Sequence, residues 1–322
     1  MQNNDLAAFG DVLFPEDAQE PILARPVRQA LLEWLTEIWA ADDLVQVGLR
    51  PRCRALFHGA PGTGKTTLAH HLAARLGLPL VAVRPDRVID CWLGSTGRNL
   101  GQLFDLAGPE GDGPVVLFFD EFEALGGKRV AGARNAEQER NAVVDTLLQR
   151  IEAHDGYIIA ATNHSDHLDP AIWRRFDVHI EVALPGQEER ERILHRYLSP
   201  FGMSSRELSE LANACETASP ALIRQLCEAI KRNIVIGEQV GWDMRRGPCF
   251  ERILAAIAPH PDLGKPRLWS HRSDDLAVKV MKWPLSRLED VVEDAVAADN
   301  SIAVASNVAK LDLRSSKRGV LE

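Results

Sequence analysis

Residues Gly59-Ala60-Pro61-Gly62-Thr63-Gly64-Lys65-Thr66 satisfy the spacing G-x-x-x-x-G-K-[ST] at every fixed position. Such a run is suited to a chain of phosphates. Its glycines let backbone N–H groups turn inward around phosphate oxygens, and the helix that follows adds partial positive charge at its start. Lys65 is placed to reach the β- and γ-phosphates, Thr66 Oγ to ligate Mg²⁺, and Thr67 ends the nucleotide-binding run. The flanks agree: Ala55 to His58 read as a short buried strand, and Leu68, Ala69, Leu72, Ala73 and Leu76 mark the apolar stripe of a helix. The alternative, a glycine-rich turn with no ligand, does not explain this strand–loop–helix setting.

A second group begins at "PVVLFFDEFEAL". Val115 to Phe119 form an uninterrupted apolar run, the pattern of a strand buried on both faces of a parallel sheet. It ends in Asp120-Glu121, and two acids at such a place are costly unless they meet a cation or a reacting group. Asp120 suits the Mg²⁺ shell, and Glu121 is placed to take a proton from an attacking water. A third strand, "YIIAATN", ends at Asn163, whose amide could hold that water or contact the γ-phosphate; standing alone it would be a turn former. Downstream, "HLDPAIWRRFDVHIEV" carries adjacent arginines, Arg174 and Arg175, and a short strand from Val178 to Val182.

The elements that must hold these residues are legible by period. Val27, Leu31, Trp34, Leu35 and Ile38 outline a first amphipathic helix. "DCWLGSTGRNLGQLF" places Trp92-Leu93-Gly94 just before a helix whose apolar face is Leu100, Leu103, Phe104 and Ala107. After Pro185 four helical stripes follow, through Ile193 to Leu198, Leu208 to Cys215, Leu222 to Ile230 and Phe250 to Ile257.

"GAPGTGKT", "FFDEFEAL", "ATNHSDHLDPAIWRRFD" and "PGQEERERILHRYL" stand in the order and spacing of the AAA+ ATPases, and the chain from about Asp11 to about Ala258 resembles the AAA clade of ring-forming protein remodellers and unfoldases. The resemblance implies an α/β fold: a P-loop NTPase sheet of five parallel strands with helices on both faces, followed by a small all-α lid domain. It divides the chain into an N-terminal segment and helix (1–50), an ATPase domain (51–185) and a lid (186–258); the C-terminal extension (259–322) lies outside it, and its residues read as one amphipathic helix, through Leu288, Val291, Val292 and Ala295, and a polar, disordered end. "DVLFPEDAQEPI" is similar to the segment whose backbone reads adenine in the family. Asn163 becomes the first sensor residue. Arg174 and Arg175 become arginine fingers offered to the γ-phosphate of the next subunit of a homo-oligomer, a hexamer. The family often separates its two arginines, so which of the adjacent pair touches phosphate stays open. Arg224 is a candidate second sensor. Trp92-Leu93-Gly94 matches an aromatic–hydrophobic–glycine triplet on a loop lining the central pore, where a large aromatic grips an extended polypeptide; ordinary packing of Trp92 against the domain is the alternative.

Composition bounds these readings. The 322 residues, 45% of them hydrophobic, suffice for one large core or two modest ones. No run of about 18 apolar residues is present, which points away from a membrane, and the acidic start lacks the pattern of a signal peptide, so the chain is expected in the cytoplasm. Five scattered cysteines without a C-x-x-C pair argue against a zinc site or a disulfide framework. The net charge of −9 disfavours broad nucleic-acid binding. The expected function is therefore an ATP- and Mg²⁺-dependent motor that remodels, unfolds or threads protein substrates. A nucleic-acid-associated switch, resembling a clamp or helicase loader, is the alternative. With no H-E-x-x-H protease motif in the sequence, any proteolysis would fall to a separately encoded partner such as a protease.

Trp92 offers the sharpest sequence-based prediction. Trp92→Ala is expected to hold ATP hydrolysis within a few-fold of normal while unfolding of a protein client collapses, and Trp92→Tyr should retain much of that work. If Trp92 is a core residue, truncation would instead lower stability by about 3–5 kcal/mol and ATPase would fall with it. Melting temperature, ATPase rate and client unfolding, measured on one preparation, separate the two.

Overall fold

The computed structural model describes residues 5–89, 95–108, 113–128, 135–237 and 239–288. The described residues form two compact units: those up to Glu189 together with Ser219–Ala221, and Arg190–Ala218 together with those from Leu222 to Leu288.

The first unit is built on a six-stranded sheet. Its strands are β1 (Gly10–Leu13), β2 (Arg54–His58), β3 (Leu80–Val83), β4 (Val116–Phe119), β5 (Tyr157–Thr162) and β6 (Val178–Glu181), in the spatial order β1-β3-β4-β5-β2-β6. The five expected parallel strands are all there, and β1 adds an antiparallel edge strand on β3 with Gly10 opposite Val83. Five helices of this unit bear on the site: α1 (Arg25–Trp39), α2 (Lys65–Leu76), α3 (Ser95–Leu106), α4 (Asn135–Ala153) and α5 (Pro170–Trp173).

Two-residue periodicity sends alternate strand residues to opposite layers. Leu56, Leu117, Phe119, Ile158 and Ala160 pack with Leu100, Leu103 and Phe104 of α3 and Val144, Leu147 and Ile151 of α4. Ala55, Phe57, Val116, Phe118, Ile159 and Ala161 pack on the other face with all five expected apolar residues of α1 and with Leu68, Ala69, Leu72 and Ala73 of α2. Every residue of β4 is buried, which is what its unbroken apolar run implies. The strand β1, "GDVL", has no such signature. It forms because Gly10 lets two backbones approach: a Cβ there would run into the carbonyl of Ala82. Arg84 and Arg87, just past β3, then close on Asp11 at 3.2 Å each, and Arg87 also donates to the carbonyls of Ala7 and Gly10.

The second unit is helical. It holds most of α6 (Gln187–Leu198), then α7 (Ser205–Ala214), nearly all of α8 (Pro220–Ile236), and α9 (Arg246–Ala256). Ser204 and Glu207 cap α7 reciprocally, Ser204 Oγ accepting from the Glu207 N–H and Glu207 from the Ser204 N–H. The same unit continues past 258, where the sequence reading began a separate extension. Short helices α10 (Arg267–His271) and α11 (Leu276–Val280) pack back against α7 and α9. Asp275, buried at 3% exposure, caps α11 by accepting from the Ala277 N–H at 2.9 Å and faces Arg267 Nε at 3.1 Å. The buried Trp269 donates its indole N–H to the Ile257 carbonyl at 2.7 Å, and Trp283 donates to Met244 at 2.9 Å while its ring meets Phe250. The expected amphipathic helix starting at Trp283 lies outside the described residues beyond Leu288. Cys215, Cys227 and Cys249 are buried free thiols. Burial pushes the Cys215 thiol up to about 12, so it stays protonated and inert. Among the described residues no helix is long and apolar enough to cross a membrane.

Trp269 tests whether residues past 258 belong to this unit. Trp269→Ala is expected to lower unfolding free energy by about 3–5 kcal/mol, read by urea denaturation. A change near zero would mean the segment only rests on the helices.

Candidate functional site

The strands β4, β5 and β2 are consecutive in the sheet, so their C-terminal ends lie side by side, the place where open α/β sheets bind ligands. From these ends come Asp120, Asn163 and the loop 59–64.

The loop depends on backbone that side chains resist. Gly59, Gly62 and Gly64 have φ of +143°, +74° and +95°, and a Cβ on Gly59 would strike the carbonyl of Val182. Thr63, buried, donates its hydroxyl to the Ala60 carbonyl at 3.0 Å and tightens the turn around Pro61. Gly64 N-caps α2, whose first residues are Lys65, Thr66 and Thr67.

Lys65 is 6% exposed. Its ammonium has three N–H donors and meets three oxygens: Gly59 O at 2.8 Å, Ala60 O at 2.9 Å and Asn163 Oδ1 at 2.7 Å. Burial pushes its pKa down, while the carboxylates of Asp120 and Glu123 pull it back up. Thr66 Oγ1 donates to Asp120 Oδ2 at 2.6 Å, and the other carboxylate oxygen accepts from the Glu121 N–H at 3.0 Å. Glu121 itself is exposed and has φ +47°, a left-handed backbone uncommon outside glycine. Strain of this kind gathers at reactive positions.

The hydroxyl of Thr66 and the carboxylate of Asp120 are hard oxygen donors of the kind Mg²⁺ prefers. The inward-turning loop at the start of α2 is matched to phosphate. The residues present therefore fit ATP with Mg²⁺.

The structure thus brings Lys65, Thr66, Asp120, Glu121 and Asn163 together. Arg174 and Arg175 follow α5 and differ. Arg175 pairs with Glu152 of α4 at 3.2 Å and has its Nε buried. Arg174 is exposed and forms no ion pair with any described residue. Arg224, in the second unit, is held on its own helix by Glu228 at 2.8 Å and lies over the Tyr197 ring. Trp92, Leu93 and Gly94 lie outside the described residues. Glu123 was not singled out in the sequence. Its Oε2 is buried without a hydrogen-bond partner among the described residues and its charge acts on Lys65; the one available signal was a further acid two residues beyond Glu121.

Residues 55–184 match the model of the ATPase family associated with various cellular activities, AAA. Over 174 residues the chain is 42% identical to an uncharacterized AAA family ATPase, y4kL, of Sinorhizobium fredii, covering 53% of this chain and 51% of that one. It is 33% identical over 189 residues to the proteasome-activating nucleotidase of Methanopyrus kandleri, covering 56% and 43%. It is 34% identical over 190 residues to the 26S proteasome regulatory subunit S10B homolog B of Arabidopsis thaliana, covering 57% and 47%. The chain spans about half the length of the curated relatives it matches.

The backbone at Glu121 leads to a stability prediction. A left-handed conformation costs an L-residue about 1–2 kcal/mol and glycine little, so Glu121→Gly should be more stable than Glu121→Ala by about 1 kcal/mol. Thermal unfolding of the two variants measures it, and equal stabilities would mean that position 121 is unstrained.

Proposed function

Since residues 55–184 match the AAA ATPase family model, we propose that this chain is an ATP-hydrolysing motor, assembled as a six-membered ring, that remodels, unfolds or threads protein substrates through a pore lined by Trp92. The observation that carries the ATPase reading is the convergence of Lys65, Thr66, Asp120 and Asn163 within hydrogen-bond distance across three strands, with Glu121 beside them. Relatives named for activating the proteasome, or as regulatory subunits of it, support a protein substrate and a separately encoded protease as partner.

Each residue has a task. Lys65 exchanges its loop carbonyls for β- and γ-phosphate oxygens and offsets their charge. Thr66 and Asp120 hold Mg²⁺, which when bound neutralises charge building on the phosphates. Glu121 accepts a proton from the attacking water as the water oxygen bonds to the γ-phosphorus and the bridge to the β-phosphate breaks. Asn163, already bonded to Lys65, orients the water or the γ-phosphate. Arg174, exposed and without an ion pair among the described residues, is the finger offered to the neighbouring subunit, whereas Arg175 is tied to Glu152 within its own subunit. By its resemblance to the family, the helical second unit is assigned the role of the family's lid, with Arg224 as its candidate sensor.

Binding and turnover measured separately test this assignment. Lys65→Ala should weaken ATP binding itself. Glu121→Gln should bind ATP normally and lose about 10²-fold or more in hydrolysis. Full turnover in Glu121→Gln would remove it as the base, and a fully active stable monomer would refute the shared ring.

A further inference from the structure

Trp173 ends α5 and immediately precedes the arginine pair, and its indole meets two imidazoles of neighbouring strands. His179 of β6 stacks on it with ring centroids 4.4 Å apart and planes 19° from parallel. His58, the last residue of β2 and the neighbour of Gly59, meets it at 5.5 Å and 51°. His179 also holds the backbone: its Nε2 lies 3.0 Å from the Trp173 carbonyl. A carbonyl only accepts, so Nε2 carries the proton and donates.

The seat under this stack is fixed independently of it. The backbone N–H of Asp177 donates to the Arg54 carbonyl at 3.1 Å, and that of Val182 to the His58 carbonyl at 2.8 Å, so β6 is fastened to β2 at both ends of their pairing. Trp34, with 1% exposure, is a core tryptophan. Trp173 is only half-buried: it rests on the core but shows its two ring contacts to imidazoles. Aromatic contacts of this kind fix orientation as well as burying area. On the far side of the pair, Arg175 is tied to Glu152.

We propose that Trp173 is a positioning residue. Through its ring contacts with His58 and His179 it sets the arginine pair against the strand that enters the phosphate loop, so that one subunit's Arg174 reaches the next subunit's γ-phosphate in register. This rests on the reading that the arginines act in trans. Misplacing a charged group by about 1 Å is enough to cost roughly 10²-fold in rate, so loosening the residue before Arg174 should matter without touching phosphate.

Mixed rings of full-length chains test it. A Glu121→Gln donor supplies arginines but cannot hydrolyse. An Arg174→Ala/Arg175→Ala acceptor supplies an intact hydrolytic site. The parent pair should show ATPase activity that neither chain shows alone. Adding Trp173→Leu to the donor should lower that activity about ten-fold or more, adding it to the acceptor should change it less than about three-fold, and Trp173→Phe in the donor should restore most of the rate. If Trp173→Leu does not fold, His179→Ala in the donor, which removes one exposed ring, should give the same donor-only loss. Parent rings that are demonstrably mixed yet inactive would overturn the trans reading itself. Active parent rings with no loss from the altered donor, or with equal loss from donor and acceptor, would overturn the role of Trp173 and leave the trans reading standing.

Discussion

A buried ammonium governs this site. Taking a charge out of water is costly unless each of its protons meets an oxygen, and Lys65 at 6% exposure has three acceptors for its three protons. Two come from its own loop and the third from Asn163, 98 residues away at the end of another strand. The third is available only if β2 and β5 are neighbours in parallel register, as the pairing of His58 with Thr162 provides. Loop conformation, strand order and the place of the Asn163 amide thus all answer to one nitrogen atom. Phosphate oxygens are acceptors of the same kind with more charge, so the proposed nucleotide would replace carbonyl partners without stranding the lysine.

A second arrangement is layered on the first. The acids after β4 are separated by environment and backbone. Asp120 is engaged with Thr66 on one oxygen and the Glu121 amide on the other, whereas Glu121 is exposed on a left-handed turn. One carboxylate is held and the other is free to act, a division suited to a metal ligand beside a base.

Much of this was readable in the sequence, for definite reasons. Long apolar runs and 3.6-residue stripes are local signals, so β4 and the apolar residues of α1 and α2 stood out. Glycine spacing marks the loop because only glycine tolerates its backbone. What escaped depends on distant partners. The strand β1 has four residues and no alternation, and exists because β3 offers an edge. Residues 259–288 are polar and proline-rich in sequence, yet they join the second unit through single indole hydrogen bonds and a buried Asp275. The stack on Trp173 joins residues 58, 173 and 179, which no sequence period connects. The difference between Arg174 and Arg175 rests on one acid, Glu152, at the end of a remote helix.

The antiparallel strand β1 has a consequence for handling the protein. An unpaired sheet edge is a template for other chains, and without β1 the edge strand would be β3, whose Leu80, Val81 and Val83 are all buried. The opposite edge, β6, turns His179 and Glu181 to solvent between its apolar residues. The sheet therefore has one flank guarded by polar side chains and the other by a borrowed strand held through Gly10 and Asp11. Fusions or trimming near β1 bear directly on solubility, because Gly10–Leu13 is the cover that keeps a sticky edge from recruiting its neighbours.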